Sequence, residues 1–146
     1  MHALLDEQWR EHEIVLSKER GAAAIATFLA DASLGLALLA RNVGAAGNDP
    51  VGLAVLAYTF TLERGGLVGW LDELYVVPTH RGAGVGTKLL DAALVHAQTA
   101  GCVAVELEVV FGHERAANLY ARAGFQKLPR ARWSRDLFVG EGEVQK

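Results

Sequence analysis

The sequence predicts a mixed α/β (α+β) fold, a mostly antiparallel central sheet with helices on both faces. Three observations carry this. Apolar residues recur at helical spacing in two early segments, Leu4–Leu16 and Glu19–Ala32, and in two later ones, Gly84–Ala100 and His113–Ala123. Three runs with strand character, Gly35–Arg41, Val51–Thr61 and Val68–Val77, lie between these pairs and are joined by short turn-rich pieces, which suits antiparallel neighbours. A further alternating run, Cys102–Phe111, falls between the last two helices and makes the sheet mixed.

The 146 residues show no internal repeat, low-complexity stretch or long linker, so 1–146 reads as one domain. A domain of this size buries about 68–70% of the surface its unfolded chain exposes, and a 51% hydrophobic content supplies the core. A formal charge of −3 argues against general affinity for nucleic acid or an anionic membrane. No apolar run approaches the roughly 18 residues of a membrane span. The single cysteine, Cys102, has no internal disulfide partner and reads as a small buried hydrophobe. With no signal-peptide pattern at the start, a reducing cytoplasm is the expected compartment.

In chain order, the first helix carries Leu5, Trp9, His12 and Leu16 near one face; His12 and Glu13 read as a solvated surface, the alternative being approach to an amine substrate. The second has an Ile25, Phe28, Leu29 stripe. Asn42–Pro50 reads as a turn-rich connection and Glu63–Gly66 as a hairpin turn. In Val68–Val77, strict alternation sets Leu71, Glu73, Tyr75 and Val77 on one face and Asp72, Leu74 and Val76 on the other. A carboxylate inside so apolar a strand needs a reason. Desolvation raises its pKa, as a general base for an ammonium requires, while the plainer reading pairs Glu73 with a cation or leaves it at an open strand end. Asp72 is the lesser candidate. Cys102–Phe111 alternates Val103, Val105, Leu107 and Val109 against Ala104, Glu106, Glu108 and Val110. Glu106 and Glu108 lack a histidine pair and read as solvated or salt-bridged, so no metal site is expected. A last strand is expected over Arg132–Phe138, with Gly140–Lys146 as a frayed tail.

The stretch Leu74–Leu90 organises the rest. A strand stops at Pro78, a loop with Gly82, Gly84 and Gly86 follows, and an amphipathic helix begins. Such a turn leaves unpaired N–H groups converging beside the positive end of a helix dipole, which makes an anion site for a phosphate or pyrophosphate. Glycines permit positive φ and close approach of a ligand, and Arg81 adds a fork of donors. The alternative is an ordinary strain-relieving turn. A P-loop does not fit, because Lys88 follows Thr87 and not a glycine, and a dinucleotide fingerprint is one residue short at its last glycine.

What does fit is Arg-x-x-Gly-x-Gly, filled by Arg81, Gly84 and Gly86, after a strand ending Val-x-Pro. In this form the stretch resembles the acyl-CoA binding motif of the GNAT superfamily of N-acetyltransferases. Downstream, Ala116, Leu119, Tyr120, Gly124 and Phe125 match the family's Asn-x-x-Ala-x-x-Leu-Tyr-x-x-x-Gly-Phe pattern, with His113 in the asparagine's place. The resemblance spans roughly residues 50 to 138. A strand usually precedes the first helix in that family, and here too few residues come before it, so that strand is expected to be missing, shortened or otherwise supplied.

The resemblance implies a GNAT-like sheet whose two central strands, Leu74–Val77 and Val103–Val109, splay apart to admit the pantetheine arm of acetyl-CoA. Leu74, Val76 and Val77 would pair with the arm, and Arg81, Gly82, Ala83, Gly84, Val85, Gly86 and Thr87 would hold the pyrophosphate. His113 and Asn118 would lie near the cofactor. It implies direct acetyl transfer to a primary amine of a small molecule, amino acid or peptide, with Glu73 as base through a water and Tyr120 as the acid for the departing thiolate. Tyr120 could instead seal the core against Leu119 and Phe125. The alternative is a non-catalytic acyl-CoA-binding regulatory module. Acetyl-CoA and an amine are thus the expected partners, and Trp133, Phe138 and a terminal strand offer material for a homodimer.

Overall fold

The computed structural model describes residues 1–44, 47–135 and 137. Its elements run α1 (His2–Glu11), α2 (Lys18–Ala30), β1 (Gly35–Gly44), β2 (Gly47–Thr61), β3 (Gly66–Val76), a single 3₁₀ turn (Pro78–His80), α3 (Val85–Thr99), β4 (Ala104–Leu107) and α4 (Glu114–Arg122). The sheet order is β1-β2-β3-β4, with β1, β2 and β3 antiparallel and β4 joined parallel to β3. The predicted mixed, mostly antiparallel sheet flanked by helices is therefore present.

The two faces of the sheet bury different helices. On one, Leu89, Leu90, Ala93 and Ala97 of α3 pack on Ala54, Leu56 and Leu71. On the other, Leu4 and Leu5 of α1 and Ile25 of α2 pack on Leu53, Val55 and Tyr75. Each helix shows the sheet an apolar stripe, and burial of that stripe, rather than helix propensity, holds it in place.

Several expectations are corrected. The first helix ends at Glu11, five residues before Leu16. Glu13 takes a left-handed φ of 55°, its N–H bonds to the Arg10 carbonyl and the Ile14 N–H to that of Trp9. This is a Schellman stop built without the glycine that usually announces one. The Asn42–Pro50 connection is instead mostly strand: β1 continues to Gly44 and β2 begins at Gly47, with a register shift between Ala40 and Arg41 beside Pro50. Pro50 is tolerated because it sits at that irregularity. β4 is shorter than Cys102–Phe111, and Val103 and Val109 are exposed instead of continuing the core face. Residues 132–135 form no strand, Asp136 and Phe138 lie outside the described residues, and so does the expected frayed tail.

Strict alternation in β3 also fails. Val55 faces Glu73 while Leu56 faces Leu71, so Asp72 is the extra residue of a β-bulge. Leu71 consequently joins the α3 face with Leu74 and Val76, and Glu73 shares the α1 face with Tyr75 and Val77. The bulge thus moves Leu71 to the α3 face and leaves Glu73 on the α1 face beside Tyr75.

Candidate active site

The bulge sits where the sheet opens. β3 and β4 pair only from Val68–Ala104 to Leu71–Leu107, and past Leu71 the β4 side of β3 has no strand partner among the described residues. On its other side β3 stays bonded to β2, and Val77 N–H continues the ladder to the Val51 carbonyl at 3.0 Å. Leu74 and Val76 therefore lie along an edge with no strand partner, of the kind an extended ligand can complete, while the Val77 N–H is already bonded to β2 and the Val76 carbonyl already accepts from Arg81 Nε.

At the end of that edge the chain turns through Arg81–Gly84 into α3. Gly84 is the N-cap of α3 at φ 82°, and Gly82 has φ 87°. A side chain in this left-handed region costs about 1–2 kcal/mol, which glycine avoids. No side chain caps α3, so the N–H groups of Val85, Gly86 and Thr87 at its first turn are left for another acceptor. A Cβ added at Gly84 would meet nothing within 4 Å. Space and donors thus suit an anion here. Gly86, expected to supply positive φ, is instead helical, and a Cβ there would make ordinary contacts with Val76 and Leu119.

Arg81 points away from this turn. Its Nε donates to the Val76 carbonyl at 2.7 Å and its Nη2 to both Glu11 carboxylate oxygens at 2.9 and 2.7 Å, with its guanidinium 5.3 Å from the Tyr75 ring centroid. Burial acts to raise the Glu11 pKa, but the bonds and charge of Arg81 outweigh it and hold the carboxyl below its ordinary 4.5. The cation that does reach the turn is Arg115, whose Nη2 lies 3.8 Å from where a Gly82 Cβ would stand. No carboxylate among the described residues pairs with Arg115. Sequence reasoning passed over it because α4 brings it to the turn from 33 positions away.

Glu73 is held from α1. Trp9 Nε1 donates to its Oε1 at 3.0 Å, and Gln8 Nε2 donates to its Oε2. No Lys, Arg or His among the described residues pairs with it, so the cation-paired alternative is not realised. Burial pushes the Glu73 carboxyl above 4.5 and the nearby charge of Asp72 adds to this, while the Trp9 and Gln8 bonds oppose it. Asp72 itself is exposed and accepts from Trp70 Nε1 at 3.2 Å. The sequence pattern gave Gln8 and Trp9 no role, since nothing local links an N-terminal helix to a strand more than 60 residues on.

Tyr120 is placed by the end of α4. Gly124 takes φ 89°, its N–H bonds to the Ala121 carbonyl and the Phe125 N–H to that of Tyr120. In this Schellman motif the first and last hydrophobic positions touch, and the Tyr120 and Phe125 rings meet edge-on at 5.8 Å. The Leu-Tyr-x-x-x-Gly-Phe pattern is thus a helix stop that fixes the tyrosine ring. Burial raises the Tyr120 phenol to about 12. His113 is the N-cap of α4, and its ring lies tilted against that of His12 from the end of α1, with centroids 5.0 Å apart; Asn118 is exposed on α4. His12 is therefore a contact residue rather than part of a solvated face. Glu106 and Glu108 are salt-bridged, to Arg64 at 2.5 Å and to Arg132 at 2.8 Å. Among the described residues no group of three or more His, Cys, Asp or Glu could hold a metal ion, and no helix is long and apolar enough to cross a membrane.

Comparison with known proteins places this geometry. The model of the acetyltransferase (GNAT) family matches residues 1–125. The thialysine N-epsilon-acetyltransferase of Mus musculus is 32% identical over 96 residues, 65% of this chain and 56% of that protein. An integron cassette protein from a salt-marsh metagenome superposes with TM-score 0.81 at 27% identity, covering 95% of this chain and 84% of the other. AAC(6')-Iy, solved with a CoA bisubstrate analogue, gives TM-score 0.77 at 18% identity over 92% and 88% of the two chains and bears on the fold alone. The chain spans about half the length of the curated relatives it matches. The family match across 125 residues, joined to the β3 edge that runs on past the end of β4 and to the glycine turn, establishes that this chain belongs to the GNAT acetyltransferase family.

Proposed function

We propose that the protein is an N-acetyltransferase that moves an acetyl group from acetyl-CoA directly to a primary amine. The observation that carries this reading is the position of Glu73, a half-buried carboxyl with a raised pKa, at the point where β3 loses its β4 partner. Two of the relatives, the thialysine N-epsilon-acetyltransferase and an aminoalkylphosphonate N-acetyltransferase, are named for transfer to nitrogen.

The parted edge at Leu74, Val76 and Val77 would take the pantetheine arm, and the amides from Gly82 to Thr87 with Arg115 the pyrophosphate. Arg81 would join them only by leaving Glu11, and His113 and Asn118 would border the arm from α4. The thioester supplies the activated acetyl group. An alkylammonium, with a pKa of about 10.4, must lose a proton before it attacks. Glu73 takes that proton, directly or through a water. A β3 N–H near Leu74 or Val76 meets the oxyanion as the nitrogen–carbon bond forms. When the carbon–sulfur bond breaks, Tyr120 gives its proton to the thiolate; at about 12 its phenol is protonated at every physiological pH.

The test is a panel of primary amines with acetyl-CoA, read by release of free thiol. Glu73→Gln and Tyr120→Phe should each lower turnover by about 10²–10⁴-fold, the usual worth of a positioned acid or base, with CoA affinity retained. Binding of CoA with no thiol release from any amine would favour a regulatory acyl-CoA module. Full activity in both variants would overturn the assigned roles.

A further inference from the structure

Gln8 is the one polar residue in the described core, 7% exposed. Its Nε2 is spent on Glu73, while its Oε1 is buried and accepts no hydrogen bond. A buried acceptor left unmade costs about 1–3 kcal/mol, so something with a donor is expected to reach it. Beside it stands the Glu73 carboxylate, whose hydrogen-bond donors, Gln8 and Trp9, are both neutral. The nearby charge that acts on it is that of Asp72, which is also negative. Apolar Leu4, Leu5, Val55 and Tyr75 line the same face.

We infer that Gln8 Oε1 and the Glu73 carboxylate together form the seat for the nitrogen of the acceptor, a primary ammonium that donates one N–H to each. The inference rests on the reading of Glu73 above and deepens it by naming a second acceptor-binding residue. The amide is planar and its Nε2 is anchored to Glu73, so Oε1 is held beside the carboxylate and cannot swing away. An ammonium brings one positive charge and three N–H groups to a place that offers one uncompensated negative charge and one unused oxygen. Once Glu73 takes a proton, the neutral amine still has an N–H for Gln8 while its lone pair is free to attack. An alcohol brings no charge, and a quaternary ammonium brings no donor.

The experiment titrates n-butylamine into the CoA-loaded protein, with butyltrimethylammonium as the equally charged control that has no N–H, and measures the amine KM in the acetylation assay. Gln8→Met keeps the length and removes both hydrogen-bonding groups. Gln8→Glu keeps an oxygen at the seat and removes the donor to Glu73. The expected result is an amine Kd and KM about tenfold higher in Gln8→Met, with CoA affinity unchanged, and a narrower gap between n-butylamine and the control. Gln8→Glu, which sets a second carboxyl at the seat, should bind n-butylamine at least as tightly as the wild type and widen its margin over the control; if Gln8→Met does not fold, an unchanged margin in Gln8→Glu overturns the inference. Wild-type acetylation with an unchanged amine Kd and KM in Gln8→Met overturns the inference, as does an equal loss of amine binding in both variants, which would make Gln8 only a prop for Glu73. A wild type that acetylates no amine overturns the enzyme reading instead.

Discussion

Trp9 on α1 donates its indole N–H to the Glu73 carboxylate of β3 across 3.0 Å. The bond spans 64 positions and ties the helix that lies over the sheet to the carboxyl at its split. It also opposes the rise that burial imposes on the Glu73 pKa. In Trp9→Phe an aromatic ring is kept, though a smaller one, and the donor is lost, so the carboxylate form becomes less favourable and its pKa moves further up. The acid limb of the activity profile should shift to higher pH, which a pH series of kcat/KM on the variant and the wild type will measure.

The wild-type profile follows from two groups. A base works when deprotonated, so activity should be low at acid pH and rise as Glu73, raised above 4.5, loses its proton. An acid works when protonated, and Tyr120 at about 12 imposes no fall across the neutral and mildly alkaline range. The expected curve is therefore one rising limb and a plateau that ends only near the amine's own pKa of about 10.4. A bell with a falling limb near pH 8 would remove Tyr120 from the acid role.

How far the sequence speaks is shown by these same residues. Short-range patterns were legible: the Pro78 stop, the glycine turn into α3 and the Tyr120–Phe125 helix end each depend on neighbours within a few positions. Glu73 stood out because a carboxylate in an apolar run is costly. What could not be read depends on register or on distant contacts. The extra residue at Asp72 reverses the facing of Leu71, and a bulge leaves no mark in an alternating pattern. The bonds of Gln8 and Trp9 to Glu73, and of Arg81 to Glu11, arise only once α1 lies across the sheet. Glu13 in a left-handed conformation stopped α1 where the sequence offered no glycine to signal it.

The Glu11–Arg81 pair bears on cofactor affinity. Glu11 sets a carboxylate near the glycine turn and ties down the arginine of the Arg-x-x-Gly-x-Gly pattern, at 2.7 Å. Both groups are about one-third exposed, so the pair is worth no more than about 0.5–1 kcal/mol after solvent screening. Glu11→Gln should release Arg81 and tighten CoA binding about two- to five-fold in a calorimetric titration at low salt. A weaker affinity would mean that Arg81 serves the fold by holding the Val76 carbonyl.

Arg115 is expected to act in the opposite sense. Its guanidinium stands at the Gly82 turn without a carboxylate partner among the described residues, where the first turn of α3 presents its unpaired N–H groups. Arg115→Ala should weaken CoA about 10- to 100-fold, in line with the roughly 1.5–3 kcal/mol of a hydrogen bond to a charged group. Dephospho-CoA, which keeps the pyrophosphate, should show the same loss; if only CoA does, Arg115 contacts the ribose phosphate.

Gly21 links α2 to the same carboxyl through Trp9. A Cβ at Gly21 would lie 2.9 Å from Trp9 Cζ3 and 3.3 Å from Cη2. Glycine is therefore kept inside α2, although alanine would favour the helix by about 1 kcal/mol. In Gly21→Ala that gain is set against an overpacking cost of about 1–3 kcal/mol, so the melting temperature should fall only modestly. The Trp9 ring, pressed from α2, must move by a few tenths of an ångström or more, and its N–H is the atom that holds Glu73 Oε1. The effect on kcat/KM should exceed what the small loss of stability would produce, and the Trp9→Phe background should abolish the difference, because no indole bond then remains to disturb. Additive effects of the two substitutions would show that α2 does not reach Glu73 through Trp9.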